Sequence, residues 1–239
     1  MRQGIFITGT DTGAGKTVVT AGLLAAFRKS GINAIAVKPV QSGALKKEDG
    51  LVSPDAAFYL AASKMEGSWC NYNPYCFEPP LSPHLAAELC GVTINPELIL
   101  SKCRSLQARH DIVLVEGAGG ICVPITRSGY MVSDLAKELG FPVIIVAKPG
   151  LGTINHTVLT IKYAQSAELE VAGFIFNNIE GKEFFEESDN AKVITALTGV
   201  PQLGSLPYLD DIDVERGVSG SLAEAALTYL SWRKIGGLV

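Results

Sequence analysis

The amino-acid sequence predicts a three-layer α/β fold in which helices cover both faces of a central, mostly parallel sheet. Short β-branched runs alternate with longer helical patterns along the chain, as they do in βαβ units. Most of these runs are continuously apolar, which is typical of strands that are buried on both faces. Because 47% of the 239 residues are apolar and 18% are charged, we expect residues 1–239 to form one globular domain.

The individual elements follow from the same patterns. Strands are predicted at residues 5–8, 34–37, 112–115, 143–147 and 174–176, with a weaker one at 203–206. Helices are predicted at residues 17–29, 55–62, 96–108, 132–139, 153–166, 186–197 and 222–232. Two stretches, 43–54 and 68–85, are predicted to be irregular. Long loops of this kind are often lids or binding loops, although a plain surface excursion remains open for 43–54.

Composition and charge exclude several classes of protein. The formal net charge of −4 comes without a basic cluster, so we expect neither nucleic acid nor a membrane as a partner. The N-terminus lacks the pattern of a secretory signal and no apolar run is long enough for a membrane span, so we expect a cytoplasmic location. The five cysteines lack C-x-x-C spacing and the three histidines are far apart, which favours reduced thiols over a zinc site.

A glycine-rich loop lies between the first predicted strand and the first predicted helix. It reads Gly-Thr-Asp-Thr-Gly-Ala-Gly-Lys-Thr at residues 9–17. Loop amides and a helix N-terminus then point at the same anion, which predicts a phosphate site in a P-loop NTPase-like fold. Lys16 would contact the β/γ-phosphates and Thr17 would offer its hydroxyl to Mg²⁺. The strict pattern is not met, because Thr10 stands where its first glycine belongs and Gly9 comes one residue early.

Two acidic residues are candidates for the metal that such a loop requires. Glu116 ends a buried strand at the edge of the sheet where open α/β folds bind ligands, and glycines follow it at 117, 119 and 120. We therefore predict that Glu116 is a magnesium ligand, although a strand-ending glutamate can also be an ordinary surface residue. Asp55 follows Ser53 and Pro54 at a predicted helix start. From its position alone, Asp55 reads first as a helix N-cap or first-turn acid.

Seven short motifs are spread over nearly the whole chain. They are Gly-Thr-Asp-Thr at 9–12, Gly-Lys-Thr at 15–17, Lys-Pro-Val at 38–40 followed by Ser-Gly at 42–43, Asn-Pro-Tyr at 73–75, Ser-Pro-His at 82–84, Val-Glu-Gly-Ala-Gly-Gly at 115–120 and Gly-Thr-Ile-Asn-His at 152–156. In this order and at this spacing they resemble the dethiobiotin synthetase family. The resemblance implies a magnesium-dependent ligase of biotin biosynthesis, which uses ATP and CO2 to convert 7,8-diaminononanoate to the cyclic urea dethiobiotin. It also implies that the reaction passes through a carbamate and then a carbamic–phosphoric anhydride, and that ADP and phosphate are released.

The resemblance also implies roles for residues of this chain. Lys16 and Lys38 would flank the carbamate and the γ-phosphate, and Thr12 and Ser42 would face the diamine. Magnesium would be held by Thr17, Asp55 and Glu116. The nucleotide would contact Gly13, Ala14, Gly15, Lys16, Thr17, Val18, Gly117, Ala118, Gly119, Asn177, Asn178, Leu206, Pro207 and Tyr208. Two of these assignments have ordinary alternatives, because Lys38 could be a solvated strand end and Asn177-Asn178 a turn.

The resemblance also implies a homodimer with shared active sites, formed with the glycine-rich segment after the fourth long strand. In the resembling family the substrate carboxylate is held by this segment of the partner subunit, which here comprises Gly150, Leu151, Gly152, Thr153 and Asn155. Without the resemblance, an ordinary strand-to-helix turn would be the preferred interpretation.

One position departs from the family pattern, and one rival interpretation remains. Many members carry an acidic residue where this chain has Gly13, so the contribution of that carboxylate must be absent or supplied elsewhere. The rival is a MinD-like regulatory ATPase on a similar scaffold. Its hallmark is a second lysine early in the loop, and this sequence has Asp11 there, which argues against the rival.

Overall fold

The computed structural model describes residues 4–238, and its centre is a parallel β-sheet. The ten strands are β1 (Gly4–Gly9), β2 (Ala34–Val37), β3 (Val40–Ser42), β4 (Leu45–Lys47), β5 (Gly50–Val52), β6 (Tyr75–Phe77), β7 (Ile112–Gly120), β8 (Val143–Ala147), β9 (Val171–Asn177) and β10 (Gln202–Leu206). Six of them form the main sheet in the order β10-β9-β8-β1-β7-β2, and every pair in it is parallel. All six predicted strands are therefore present in this sheet.

Helices cover the two faces of the sheet. They are α1 (Lys16–Lys29), α2 (Pro54–Ser63), α3 (Pro83–Leu89), α4 (Pro96–Gln107), α5 (Val132–Leu139), α6 (Thr153–Ser166), α7 (Glu187–Thr198), α8 (Leu222–Tyr229) and α9 (Trp232–Gly236). On one face α1, α2 and α8 pack against Ile5 and Ile7, and on the other α4, α5, α6 and α7 pack against the face that holds Phe6. The predicted three-layer α/β fold is confirmed.

The two stretches that were predicted to be irregular contain short elements instead. Residues 43–54 include the antiparallel pair β4–β5, and residues 68–85 include a 3₁₀ turn (Trp69–Tyr72), strand β6 and the start of α3. Strand β6 pairs in parallel with β3, which follows directly after the end of β2. Strands of three residues are too short to give a recognisable alternation of apolar residues, which is why the pattern did not predict them.

The helix predicted at 222–232 is two helices. Leu230 is extended between α8 and α9, where it bridges to Gly204, and the Ser231 N–H donates to the Leu203 carbonyl at 2.8 Å. The chain therefore interrupts its helix to pair with strand β10. Apolar periodicity continues through the break, so the pattern alone could not locate it.

The contact between β9 and β10 gives a prediction about stability. A Cβ atom at Gly173 would lie 2.3 Å from the Leu203 side chain and 2.9 Å from the Pro201 carbonyl oxygen. Gly173→Ala should therefore lower the free energy of unfolding by about 1–3 kcal/mol, as overpacking of a core does. Urea denaturation measures the change. Gly237→Ala is the matched control, because a Cβ there meets nothing closer than 3.5 Å, and equal stability of the two variants would contradict the prediction.

Candidate functional site

The glycine-rich loop connects β1 to α1 at the carboxyl edge of the sheet. Thr12–Ala14 form a 3₁₀ turn, and the Asp11 carboxylate accepts from the Thr12 N–H at 2.7 Å. Gly15 adopts a left-handed conformation with φ 81°, and α1 begins at the next residue. The Lys16 ammonium reaches back across the loop and donates to the carbonyls of Asp11 at 2.9 Å and Thr12 at 3.3 Å. The loop thus has the curved shape of a P-loop around its lysine.

Asn177, at the end of β9, holds this loop against the sheet. Its side-chain amide donates to the carbonyls of Ala14 at 3.3 Å and Gly15 at 3.4 Å. A Cβ atom at Gly15 would lie 1.9 Å from that amide nitrogen. Gly15 is therefore required both by its positive φ and by the close approach of Asn177. The turn interpretation is wrong for Asn177, which is buried at the end of a strand. It holds for Asn178, whose side-chain oxygen accepts from the N–H groups of Glu180 at 3.1 Å and Gly181 at 3.2 Å.

A buried ion-pair network lies opposite the loop. The Lys38 ammonium is 2.6 Å from Asp55 Oδ2 and 2.6 Å from Glu116 Oε1. Glu116 is fully buried, and Lys38 is only 6% exposed, so Lys38 is not a solvated strand end. Ser53 is the N-cap of α2, because its hydroxyl accepts from the Ala56 N–H. Asp55 lies in the first turn of α2 and directs its carboxylate to Lys38 instead of capping the helix.

Glu116 makes contacts with three elements. Its Oε1 atom accepts from Lys38 and, at 3.0 Å, from the Thr17 hydroxyl of α1. Its Oε2 atom accepts from the hydroxyl of Tyr59 in α2. Burial and the nearby charge of Glu116 raise the pKa of the Tyr59 phenol well above its ordinary value, so the phenol stays protonated and donates. No local pattern in the sequence links Tyr59 to Glu116, because 57 residues separate them.

The backbone of Lys38 is fixed by the stretch that precedes β6. The Lys38 N–H donates to the Tyr72 carbonyl at 2.9 Å, and the Asn73 amide donates to the Lys38 carbonyl at 2.6 Å and to the Tyr75 carbonyl at 2.9 Å. Asn73 is buried. Residues 72–75 therefore position the lysine. The motif at 73–75 was the available signal for this role.

The two buried lysines have opposite pKa shifts. Burial lowers the pKa of Lys16 to about 8, and the charge of Lys38 contributes in the same direction. Burial would also lower the pKa of Lys38, but the carboxylates of Asp55 and Glu116 outweigh it and hold that pKa above its ordinary value. Lys38 is therefore a permanent cation near neutral pH, whereas the charge of Lys16 depends on its surroundings.

The two lysines, Thr17, Asp55 and Glu116 share one small cavity of about 220 Å³. It is lined by two lysines, two carboxylates, three hydroxyl residues, two further residues of β3 and two residues of the glycine-rich strand end: Lys16, Lys38, Asp55, Glu116, Thr12, Thr17, Ser42, Val40, Gln41, Ala118 and Gly119. We call it the lysine–carboxylate cavity. Val40 and Gln41 were not among the predicted site residues. Gly117 is buried beneath it, where a Cβ atom would lie 3.0 Å from Val132.

A second cavity, of about 230 Å³, lies on the other side of Asn177. It is lined by Val18, Asn177, Asn178, Ile179, Pro207, Tyr208, Leu209, Ile212 and Val214. Five of the residues predicted to contact the nucleotide thus surround one apolar space. Leu206, which was also predicted to contact the nucleotide, does not line this second cavity. Its side chain is fully buried in the core against α1 and α8. Its backbone carbonyl accepts from the Asn178 N–H at 2.9 Å.

The segment predicted to hold a substrate carboxylate faces elsewhere in the same chain. Gly150, Leu151 and Thr153 line a cavity of about 740 Å³ together with Thr10 and Asp11. An apolar groove of about 750 Å³ runs along the outside of α6, and it is bordered by Leu151, Gly152 and Asn155. None of these five predicted residues lines the lysine–carboxylate cavity of its own subunit.

Gly13 has a cation beside it. A Cβ atom at this position would lie 3.9 Å from the Lys148 ammonium nitrogen, at the end of β8. Where the family pattern has an acidic side chain, this chain therefore presents an open loop and a neighbouring lysine. Lys148 was not among the predicted site residues, since nothing in the local sequence links it to the loop.

The donors around Glu116 fit a magnesium ion. Mg²⁺ prefers hard oxygen ligands and is usually held by one or two carboxylates together with water and substrate phosphates. Asp55, Glu116 and the Thr17 hydroxyl supply such a set within one cavity. Over residues 4–238 no group of three or more His, Cys, Asp or Glu side chains forms an alternative metal site.

The helices of residues 4–238 were also compared with the requirements of a membrane span. None of them has the necessary length and apolar character.

Comparison with known proteins identifies the family. A model described as an AAA domain matches residues 3–216. The ATP-dependent dethiobiotin synthetase BioD of Anoxybacillus flavithermus is 44% identical over 208 residues, which are 87% of this chain and 92% of the relative. The BioD proteins of Halalkalibacterium halodurans (43%, covering 88% of this chain and 86% of the relative) and Thermodesulfovibrio yellowstonii (39%, covering 90% and 93%) are also similar.

The chain belongs to the dethiobiotin synthetase family. It is therefore an enzyme of the ligase class that uses ATP. Solved structures support the fold alone. MinD of Pyrococcus horikoshii has a TM-score of 0.62 and 19% sequence identity, and the match covers 98% of this chain and 96% of that chain. The MinC:MinD complex of Aquifex aeolicus has a TM-score of 0.60 and 16% sequence identity, and the match covers 98% of this chain and 96% of that chain. These values confirm the P-loop NTPase-like fold without favouring the MinD-like function.

The lowered pKa of Lys16 predicts proton uptake on nucleotide binding at alkaline pH. Bound phosphates favour the charged ammonium and raise the pKa again, so at pH 9 binding of a non-hydrolysable ATP analogue should take up about one proton per site, and at pH 7 almost none. Calorimetry in two buffers of different ionisation enthalpy measures the uptake. In Lys16→Arg the cation stays charged throughout, so the uptake should vanish. Equal uptake at both pH values in the wild-type protein would contradict the assignment.

Proposed function

We propose that this enzyme converts 7,8-diaminononanoate and CO2 to dethiobiotin in an ATP- and Mg²⁺-dependent reaction of biotin biosynthesis. The observation that carries the proposal is the lysine–carboxylate cavity, where a second buried lysine faces the P-loop lysine. Simple nucleotide hydrolysis needs only the loop and the metal ligands. Lys38 adds a fixed cation on the far side of the phosphate site, which suits an anionic acceptor next to the γ-phosphate. Two relatives that are 44% and 43% identical are named as dethiobiotin synthetases, and this supports 7,8-diaminononanoate as the substrate.

The chemistry requires three steps. An amine of the substrate attacks CO2, forms a C–N bond and loses a proton to give a carbamate. A carbamate oxygen then attacks the γ-phosphorus of ATP and expels ADP, which gives a carbamic–phosphoric anhydride. The second amine attacks the activated carbonyl carbon, loses a proton and expels phosphate, which closes the urea ring. Carbamates are poor electrophiles, so the phosphorylation explains the need for ATP.

The two lysines would stabilise the charge that moves between carbamate and phosphate. Lys16 lies within the loop, where the β- and γ-phosphates bind in P-loop proteins. Lys38 stands opposite and remains charged at neutral pH, so it can neutralise the carbamate oxygen and the phosphoryl group in transit. The hydroxyls of Thr12 and Ser42 line the same cavity and would position the diamine. The enzyme thus contributes orientation and charge, as in other phosphoryl transfers.

Thr17, Asp55 and Glu116 would hold the magnesium ion, which neutralises phosphate charge when bound. Two carboxylates and two ammonium groups line the cavity, so their formal charges cancel before any ligand enters. A magnesium ion accompanied by a polyphosphate therefore enters a site that is balanced rather than strongly charged.

The apolar cavity beside Asn177 would receive the base of the nucleotide. Because the Asn177 NH2 group donates to the P-loop, the group that this side chain offers to a ligand is its carbonyl oxygen. A hydrogen-bond acceptor suits the exocyclic amino group of adenine. Val18, Pro207 and Tyr208 would enclose the ring.

A direct assay tests the proposed reaction. The purified protein is incubated with 7,8-diaminononanoate, bicarbonate, Mg²⁺ and ATP, and dethiobiotin is measured by mass spectrometry. Lys38→Met should lower turnover at least about a hundredfold, which is the scale of losing one fixed charge-stabilising donor. Lys137→Met is the matched control, because Lys137 forms an exposed ion pair with Glu168 far from the cavity, and it should keep normal turnover. Normal turnover of folded Lys38→Met at saturating substrate would remove Lys38 from the mechanism.

We also propose that two copies of the chain share their active sites. The apolar groove along α6 is bordered by exposed large side chains, with Leu151 103% and Phe185 98% exposed, and Leu159 and Leu197 more than half exposed. Contiguous exposed apolar side chains of this kind mark an interface with another protein. A second copy is the partner that fits, because residues 150–155 border the groove and would supply the carboxylate subsite that their own lysine–carboxylate cavity lacks.

Mixing of variant subunits tests the shared site. One variant, Lys38→Met, lacks the lysine; the other, Asn155→Asp, places a negative charge near the substrate carboxylate without changing side-chain size. After random re-pairing, half of the dimers contain one intact site, so about a quarter of the wild-type activity should return. If each site lies within one subunit, no activity returns.

A matched mixture checks the same arithmetic. The double variant Lys38→Met/Asn155→Asp is mixed in equal amount with the wild-type chain. With shared sites, only wild-type dimers are active, and about a quarter of full activity remains; with separate sites, about half remains. Exchange of subunits is confirmed by native mass spectrometry.

A further inference from the structure

Helix α2 directs two side chains at the lysine–carboxylate cavity from successive turns. Asp55 and Tyr59 are four residues apart, so they lie on the same face of the helix. Asp55 contacts Lys38 directly, whereas Tyr59 contacts Glu116 through its hydroxyl. Helix α2 therefore carries Asp55, which is one candidate magnesium ligand, and Tyr59, which donates a hydrogen bond to the other candidate ligand, Glu116.

The two oxygens of Glu116 have separate surroundings. Oε1 faces Lys38 and Thr17, both of which line the cavity. Oε2 turns away from them and accepts from Tyr59, which does not line the cavity. The hydrogen bond from Tyr59 therefore determines which oxygen of the carboxylate points at the cavity.

This orientation needs a partner, because the last torsion of a glutamate side chain is broad. Its carboxylate can rotate over a wide range at little cost unless a hydrogen bond holds it. Tyr59 is itself well fixed. Its ring is 1% exposed and packs in the core formed with α1 and α8, and its carbonyl accepts from the Ser63 hydroxyl at 2.6 Å. A rigid phenol thus defines the plane of a buried carboxylate.

We propose that Tyr59 is a positioning residue for magnesium, which holds Glu116 so that a single oxygen is directed at the ion. The inference rests on the proposed magnesium site and deepens it. Partners of this kind tune metal sites generally, and their loss typically weakens metal affinity about ten- to a hundredfold. Tyr59 acts through Glu116 and does not touch the ion or the substrate.

Calorimetry in the presence of ADP tests the proposal by measuring the affinity for Mg²⁺, with Mn²⁺ and its electron paramagnetic resonance spectrum as a second readout. Tyr59→Phe removes only the hydroxyl and keeps the ring in the core. We expect its Mg²⁺ affinity to fall about tenfold. The Mg²⁺ concentration for half-maximal dethiobiotin synthesis should rise in parallel, while turnover at saturating Mg²⁺ stays near normal. Binding of ADP without metal should be unchanged.

Two further variants separate the possible explanations. Tyr163→Phe, in α6, removes a partly buried tyrosine hydroxyl that lies 3.4 Å from Ser133, away from the cavity, and should leave Mg²⁺ affinity unchanged. Glu116→Gln tests the ligand itself and should lose Mg²⁺ affinity more severely than Tyr59→Phe. The melting temperature of each metal-free variant reports any purely structural loss.

The outcomes are distinct. Normal Mg²⁺ affinity in Tyr59→Phe, together with loss in Glu116→Gln, would overturn the role of Tyr59 and leave the ligand assignment standing. Normal Mg²⁺ affinity in Glu116→Gln would overturn the magnesium site and the role of Tyr59 together. A lower melting temperature of Tyr59→Phe with unchanged metal affinity would show that the hydroxyl serves stability alone, and that result also contradicts the proposal.

Discussion

Burial of the Glu116 carboxylate is the constraint on which the rest of the site depends. A charged group without solvent access is tolerated only when it is paired and hydrogen-bonded. Glu116 satisfies this condition through Lys38 from the end of β2, Thr17 from α1 and Tyr59 from α2. Three elements that are distant in sequence must therefore meet at one carboxylate. Loss of any one contact leaves part of a buried charge uncompensated, so the site and the fold around it are coupled.

The same constraint explains the structure of the chain after β2. Lys38 can neutralise two carboxylates only if its backbone is held at the edge of the sheet, and residues 72–73 hold it there by hydrogen bonds to its N–H and carbonyl groups. Strands β3 and β6 then pair beside it, and the Ser53 cap is tied to β3 by its bond to the Gln41 side chain. These short strands each place one side chain in the core, Val40 and Phe77, and they also position the lysine and the first turn of α2.

The sequence predicted what depends on local pattern and did not predict what depends on contacts between distant segments. Five of the six strands of the main sheet contain apolar runs, whereas β10 reads Gln-Leu-Gly-Ser-Leu and gave only a weaker signal. The loop at 9–17 carries its chemistry in consecutive residues, so it could be read directly. Strands of three residues such as β3 and β6, and the break at Leu230, carry no period of their own. Tyr59 and Lys148 look like ordinary helix and strand-end residues until the fold brings them to Glu116 and Gly13. Their roles are properties of the tertiary structure.

The likeness to the MinD structures concerns the fold alone. At 16–19% identity, a shared fold does not distinguish a ligase from other proteins on the same scaffold. The features of this chain that fit a ligase are side chains around the phosphate site. Asp11 accepts from the Thr12 N–H at the position where the MinD-like pattern has a lysine that serves a partner, and Lys38 supplies a second cation from within the subunit. Lys38, which is fixed by Asp55 and Glu116, lines the lysine–carboxylate cavity of its own subunit, where an acceptor for the γ-phosphate would lie. The placement of this charge, rather than the fold, favours chemistry on a second substrate.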